Sequence, residues 1–337
     1  MHIPAKRERH EGLVRLIGFG KQQQSRQRLV KVHTANAQRL VFASMALLLI
    51  ALAGCSGGSG TTTASVTLKS QAPYATTSQT NVAYGPLPQE SLTVCAPKDA
   101  TGSRPGLVLI HGGGWSGGTS QEFAKVCDYM AQQGFVVTNI AYRLAPQAIW
   151  PAQIEDAQLA VRWLRAHAAD YHLDTKRLCA WGSSAGAHMA VYLGMTTTIH
   201  PGDSASLLSD QSPNVNCVVD EFGPVDLTQM AQTDLQRTIL LRFLGVSLAQ
   251  NPAIYRDASP LFSVTPSSPP VYIIQGTRDT LVPPQESQEL QVALQHASVP
   301  VTYVTYDGEH AFSGIPPAQM NQLRLSAAQF VINQLHP

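Results

Sequence analysis

The sequence has no apolar stretch long enough to cross a bilayer comfortably as a helix, no internal repeat and no Cys-x-x-Cys pair. Beyond residue 39 it also has no block of positive charge. Each absence counts against a class of protein. A spanning helix needs about 20 apolar residues, and residues 40–53 (LVFASMALLLIALA) fall short, so a multi-span membrane protein is excluded. Without a fixed period there is no solenoid or propeller. The lack of cysteines at ligand spacing leaves the zinc and thiol-redox readings weak. Charge is scarce and uneven: residues 1–39 carry nine Lys/Arg and two acids, and the remainder carries fourteen against twenty, a net charge of −6. A mildly acidic body of this kind argues against nucleic acid or an anionic membrane face as the partner. What is present is 337 residues that are 44% hydrophobic, enough for one large core and too apolar for disorder.

The apolar stretch 40–53 has the length of a signal-peptide hydrophobic region and follows the basic segment. It ends in Leu52-Ala53-Gly54-Cys55. Small residues before a cysteine at this place resemble the lipobox of bacterial lipoproteins, in which the chain is cut ahead of the cysteine and the thiol is lipidated. The resemblance implies a signal peptide over 1–54, a lipidated Cys55 as the mature N-terminus, and a lipid-anchored location in the cell envelope. Ser56 in the next position, rather than Asp, implies the outer membrane in a Gram-negative host. Residues 55–80 are rich in Gly, Ser and Thr, bury too little to fold alone, and read as a flexible tether.

From residue 81 to 337 strand and helix signals alternate. Short apolar runs bounded by Gly or Pro recur at 107–110 (LVLI), 135–142, 178–181 (LCAW), 215–222, 271–275 (VYIIQ) and 301–306 (VTYVTY). Continuous apolarity suits strands buried on both faces. Helical stretches lie at 120–133, 152–169, 185–195 and 318–335. The alternation predicts an α/β domain, a mostly parallel central sheet flanked by helices. A hairpin from 82–84 and 91–95 adds antiparallel strands at one edge. Behind an export signal the four remaining cysteines are disulfide candidates. Cys95, ending an edge strand, is expected to pair with Cys127 in the first helix. Cys179 and Cys217, starting adjacent strands, either pair or stay as small buried hydrophobes.

Two motifs sit at predicted strand ends. Gly182-Ser183-Ser184-Ala185-Gly186 follows LCAW and opens the next helix, the strand–turn–helix setting of a nucleophile elbow, so Ser184 is the candidate nucleophile. His111-Gly112-Gly113-Gly114-Trp115 follows LVLI, where consecutive glycines leave backbone N–H groups open to a cavity. Together they resemble the α/β-hydrolase superfamily, in its esterase branch marked by HGGG and GxSAG. Tyr142-Arg143-Leu144-Ala145-Pro146, with Pro151 and Asp156, extends the likeness. The resemblance implies that the N–H groups of Gly113, Gly114 and Ala185 form an oxyanion hole, and that His111 and Asp156 are structural. Asp279, in Gly276-Thr277-Arg278-Asp279-Thr280-Leu281-Val282-Pro283, and His310, in Asp307-Gly308-Glu309-His310-Ala311-Phe312, follow in the order acid then histidine. Asp307 and Glu309 stand too close to His310 in sequence to reach its far nitrogen.

These roles predict a serine carboxylester hydrolase that works through an acyl-enzyme with no metal and no organic cofactor. Small relatives of this branch imply short acyl or feruloyl esters, free or linked to polysaccharide. No room exists for a large N-terminal cap. The cover over the site is expected from 226–264, with an amphipathic helix around 235–244. Glu221 and Trp115 fall near the cleft as candidate substrate contacts. The competing readings are a serine peptidase of the same fold, which ordinarily brings a propeller or a large cap, and a non-catalytic binding module, which ordinarily lacks the nucleophile.

Overall fold

The computed structural model describes residues 74–335, except 100 and 203. The expected signal peptide, Cys55 and most of the tether lie outside the described residues. The apolar runs at 107–110, 135–142, 178–181, 215–222 and 271–275 become strands in a sheet covered on both faces, whereas 301–306 becomes a half-exposed strand at the sheet edge. The strands are β1 (Thr76–Ala83), β2 (Ser91–Pro97), β3 (Arg104–Ile110), β4 (Val136–Ile140), β5 (Leu173–Ser183), β6 (Cys217–Glu221), β7 (Val271–Gly276) and β8 (Val301–Tyr306). They form one eight-stranded sheet in the order β1-β2-β4-β3-β5-β6-β7-β8. The β1–β2 and β2–β4 pairs are antiparallel and all others are parallel.

The period of two along each strand sorts the core into two layers. Val108, Ile110, Ala180, Val218 and Ile273 face one side. They pack there with α2 (Ala152–Ala166), α4 (Ala185–Met195) and α8 (Pro284–His296). Leu107, Leu109, Trp181, Val219 and Ile274 face the other side. That layer holds α1 (Ala124–Gln132), led in by a 3₁₀ turn at Ser120–Phe123, and α9 (Pro317–Leu335). The short α3 (Ala168–Tyr171) continues α2 after a break at His167. The segment 226–264 folds into α5 (Leu227–Met230), α6 (Asp234–Leu244) and α7 (Pro252–Asp257). A capping box starts α6, in which Thr233 and Gln236 each accept from the other's backbone N–H, and left-handed Gly245 ends it.

Two expectations change. The tether was expected to run to residue 80, but β1 begins at Thr76: the β-branched threonines pair with β2 as an edge strand. The helix α8 is absent from the sequence reading, because QESQELQVALQH is mostly polar and buries only Leu290 and Leu294 as large apolar anchors. Both cysteine pairs are disulfides. Cys95–Cys127 ties β2 to α1 with Cα atoms 5.8 Å apart. Cys179–Cys217 joins register neighbours on β5 and β6, the outcome that the sequence left open.

Candidate active site

Ser184 leaves β5 with φ 53° and ψ −117°, a left-handed conformation that side chains adopt only under constraint. The constraint is visible. Its N–H donates to the Glu221 carbonyl oxygen at 2.8 Å, and its own carbonyl accepts from His188 N–H at 3.0 Å as α4 begins. A Cβ on Gly182 would collide with the Gly186 carbonyl, and one on Gly186 with the Ile110 carbonyl. Glycine on both sides is thus what lets β5 and α4 meet in so sharp a turn.

The loops after β7 and β8 bring the other two side chains to the same place. Ser184 Oγ lies 2.8 Å from His310 Nε2, and His310 Nδ1 lies 2.7 Å from Asp279 Oδ2. Asp279 is held from below: Oδ1 accepts from the N–H groups of Leu281 at 3.0 Å and Val282 at 2.9 Å. Gln275 Nε2 donates to Oδ2 at 3.3 Å. An ionised carboxylate only accepts, so Nδ1 of His310 must carry a proton, which leaves the Nε2 lone pair facing the Ser184 hydroxyl. The Asp279 side chain is fully buried and that of His310 is 17% exposed, so the pair is shielded while the histidine edge still meets the cavity. Phe222 packs edge-on against the imidazole with ring centres 5.0 Å apart.

The glycine loop after β3 forms the facing wall. Gly113 and Gly114 take φ values of 118° and 58°, and their N–H groups donate to no group among the described residues. The Ala185 N–H belongs to the first turn of α4, where no intrahelical acceptor exists. Gly113, Gly114, Ser184, Ala185 and His310 all line one cavity of about 570 Å³. Its further wall is α6 with Met230 and Leu281, and Ile239 of α6 sits over Gly114. Among the described residues no group of three His, Cys, Asp or Glu side chains is placed to hold a metal ion. The arrangement can pass a proton from a hydroxyl to an imidazole and hold negative charge on backbone N–H groups.

Other singled-out residues fall elsewhere. Glu221 does not reach the cavity. Its side chain is fully buried and paired with Arg324, with Nε to Oε1 at 3.0 Å and Nη2 to Oε2 at 2.8 Å, and Trp181 Nε1 donates to Oε1. Burial pushes the Glu221 carboxyl up, and Arg324 only partly opposes it. Trp115 lines the cavity but is 1% exposed, stacked on Phe243 with centroids 4.0 Å apart. Asp156 binds Arg143 through its backbone N–H and its guanidinium; burial pushes its carboxyl up to about 6 against those bonds. His111 stacks on Tyr142. His188 is sealed between Trp115 and the Ala258 carbonyl, and burial pulls it down to about 4. Asp307 faces outward to Arg278. Sequence reading missed Glu122, which accepts from Gly112 N–H at 2.8 Å, and Arg324; nothing local marks either one.

The sequence and the fold both have known counterparts. The family model BD-FAE matches residues 92–294. The chain is 31% identical over 267 residues to the esterase LipC of Mycobacterium tuberculosis, a match that covers 76% of this chain and 64% of that one. It superposes with a TM-score of 0.65 and 27% identity on a truncated carbohydrate esterase from gut microbiota, over 79% of this chain and all of that one. The esterase Est2 of Thermogutta terrifontis shares the fold at a TM-score of 0.65 and 23% identity, over 77% and 94% of the two chains. The chain spans about half to two thirds of the length of the curated relatives it matches.

Proposed function

Because the chain belongs to the BD-FAE family and has the α/β-hydrolase fold, we propose that it is a serine carboxylester hydrolase acting on short-chain acyl esters, including acyl groups carried on carbohydrate. The observation that carries this reading is the pair of short hydrogen bonds from Ser184 through His310 to Asp279 beside a wall of free backbone N–H groups. His310 Nε2 takes the Ser184 proton as Oγ attacks the acyl carbon, and the imidazolium formed is stabilised by Asp279. The carbonyl electrons move onto oxygen, held by the N–H groups of Gly113, Gly114 and Ala185. Collapse expels the alcohol, which leaves with the proton from His310. Water then attacks the acyl-enzyme with His310 again as base, and Ser184 is regenerated.

The test is labelling by a fluorophosphonate probe alongside a hydrolysis panel of acetyl-xylan, feruloyl esters and p-nitrophenyl esters. A hydrolase is labelled at Ser184 and turns over at least one class. An unlabelled, inactive protein is a binding module. We further infer that the mature chain is held on the cell envelope by lipid at Cys55, a reading supported by the sequence Leu52-Ala53-Gly54-Cys55. Each buried CH₂ of an acyl chain adds roughly 0.8 kcal/mol to such an anchor. Cys55→Ser is expected to move the protein from the detergent phase to the aqueous phase; retention in detergent overturns the inference.

A further inference from the structure

We propose that Glu122 and Arg324 are positioning residues that fix the spacing between the two halves of the oxyanion hole. The inference rests on the serine-esterase reading above. One half of the hole is the loop carrying Gly113 and Gly114; the other is the N-terminus of α4 at Ala185. They come from different strands, β3 and β5, and Gly113 and Gly114, at positive φ, have no side chains of their own to hold the loop in place.

The N–H of Gly112, next to the hole but not part of it, donates to Glu122 Oε2 at 2.8 Å, which pins the root of the glycine loop. On the other side the N–H of Ser184 donates to the backbone carbonyl of Glu221 at 2.8 Å, which pins the elbow to β6. Arg324 joins the two pins. Its guanidinium takes both carboxylate oxygens of Glu221, and Nη2 stands 3.8 Å from Glu122 Oε1. The same guanidinium lies over the Phe123 ring at 4.9 Å and 5.3 Å from that of Phe312. Phe312 packs on Phe222, which packs on His310. A single side chain from α9 therefore touches what supports the loop, the elbow and the histidine.

The charge arithmetic agrees. Glu122 lines the cavity, and a bare carboxylate there would oppose the negative charge that develops on the substrate oxygen. Arg324 faces both carboxylates and offsets that repulsion. A bidentate fork holds this geometry where a point charge would not.

Removing Arg324 leaves Glu221 buried and unpaired, which threatens the fold itself. Glu122, whose side chain is 32% exposed, is the cleaner handle. With p-nitrophenyl acetate, Glu122→Ala is expected to lower kcat by roughly 10-fold to 100-fold, less than the loss of an oxyanion donor itself, with KM changed by less than about 3-fold. The inhibition constant of a short alkyl boronic acid, which mimics the tetrahedral state, should weaken in proportion to kcat/KM. Glu122→Gln keeps an oxygen for the Gly112 N–H and should recover most of the loss. Arg324→Lys should fall between. Unchanged kcat in Glu122→Ala, or a loss confined to KM or melting temperature with boronate affinity intact, overturns the proposal while leaving the esterase reading standing. A wild-type protein that neither hydrolyses esters nor takes a fluorophosphonate overturns both.

Discussion

Ser183 is the last residue of β5 and Ser184 the first to leave it, and that one step decides which hydroxyl meets His310 Nε2. Ser183 is 3% exposed, with its backbone still in register with Glu221 of β6. Ser184→Ala and His310→Ala are each expected to lower kcat on p-nitrophenyl acetate by on the order of 10³-fold or more, and Ser183→Ala by far less. Comparable losses at both serines would place the nucleophile wrongly. Residues such as Ser184, Asp279 and His310 are legible in sequence because each stands directly after an apolar strand and within a dense local motif. Glu221 is not. It reads as an acid at a strand end near the cleft, and its partner Arg324 is 103 residues away on a helix whose position depends on the finished sheet. Long-range ion pairs leave no periodic trace in the chain.

Among the helices, α6 lends four side chains to the cavity. Leu235, Thr238, Ile239 and Arg242 stand at helical spacing and turn one stripe of the helix to the cavity. With Met230 and Leu281 they make a wall, not a tunnel. A methylene of the acyl chain gains ~0.8 kcal/mol only where it can be buried, so length stops being rewarded after a few carbons. Specificity on p-nitrophenyl esters, measured as kcat/KM, is expected to peak between acetate and butyrate and to have fallen by octanoate. A rise through decanoate would mean that α6 moves aside to open a deep apolar channel. The period of α6 was legible because a polar helix with an apolar stripe must have something to cover. The polar α8 and the threonine-rich β1 were not, since one buries too few apolar side chains and the other is defined by its neighbour and not by its own pattern.

At the scale of the whole molecule, Asp156 and Glu221 are joined among the described residues by two further interior acids whose carboxyls burial pushes up and which bear on stability. Asp220 on β6 is fully buried, with Oδ1 accepting from Gly223 N–H and Oδ2 without a partner among the described residues. Burial pushes it up to about 7, and likewise Glu286 of α8 to about 7. Both hold protons in the fold that the unfolded chain releases near pH 4. Between about pH 4 and pH 7 the native state thus binds more protons than the unfolded one, so these groups favour the fold most at low pH and their contribution declines as pH rises. Asp220→Asn removes one of these titrations. Its melting temperature relative to the parent is expected to improve between pH 5 and pH 8 by on the order of 5 °C. A pH-independent difference would show that Asp220 does not titrate in that range.

The hairpin edge of the sheet has a mechanical consequence. Chain entering from the N-terminal side reaches the domain at β1, whose first paired residue is Thr76, opposite Pro97. A pull along that chain loads the hydrogen bonds of the β1–β2 ladder from one end, in sequence, so the edge strand peels at low force instead of shearing all at once. Once β1 is off, the peel runs through Leu92, Thr93 and Val94 of β2 and meets Cys95, which is covalently joined to Cys127 in α1. The bond transfers the load from β2 to a helix packed on the far layer of the core, before tension reaches β3, β5, β6 or β7, whose ends carry the glycine loop and the serine. Under tension at its N-terminal side, the domain is expected to give up β1 and then β2 as far as Cys95, where the load passes to α1.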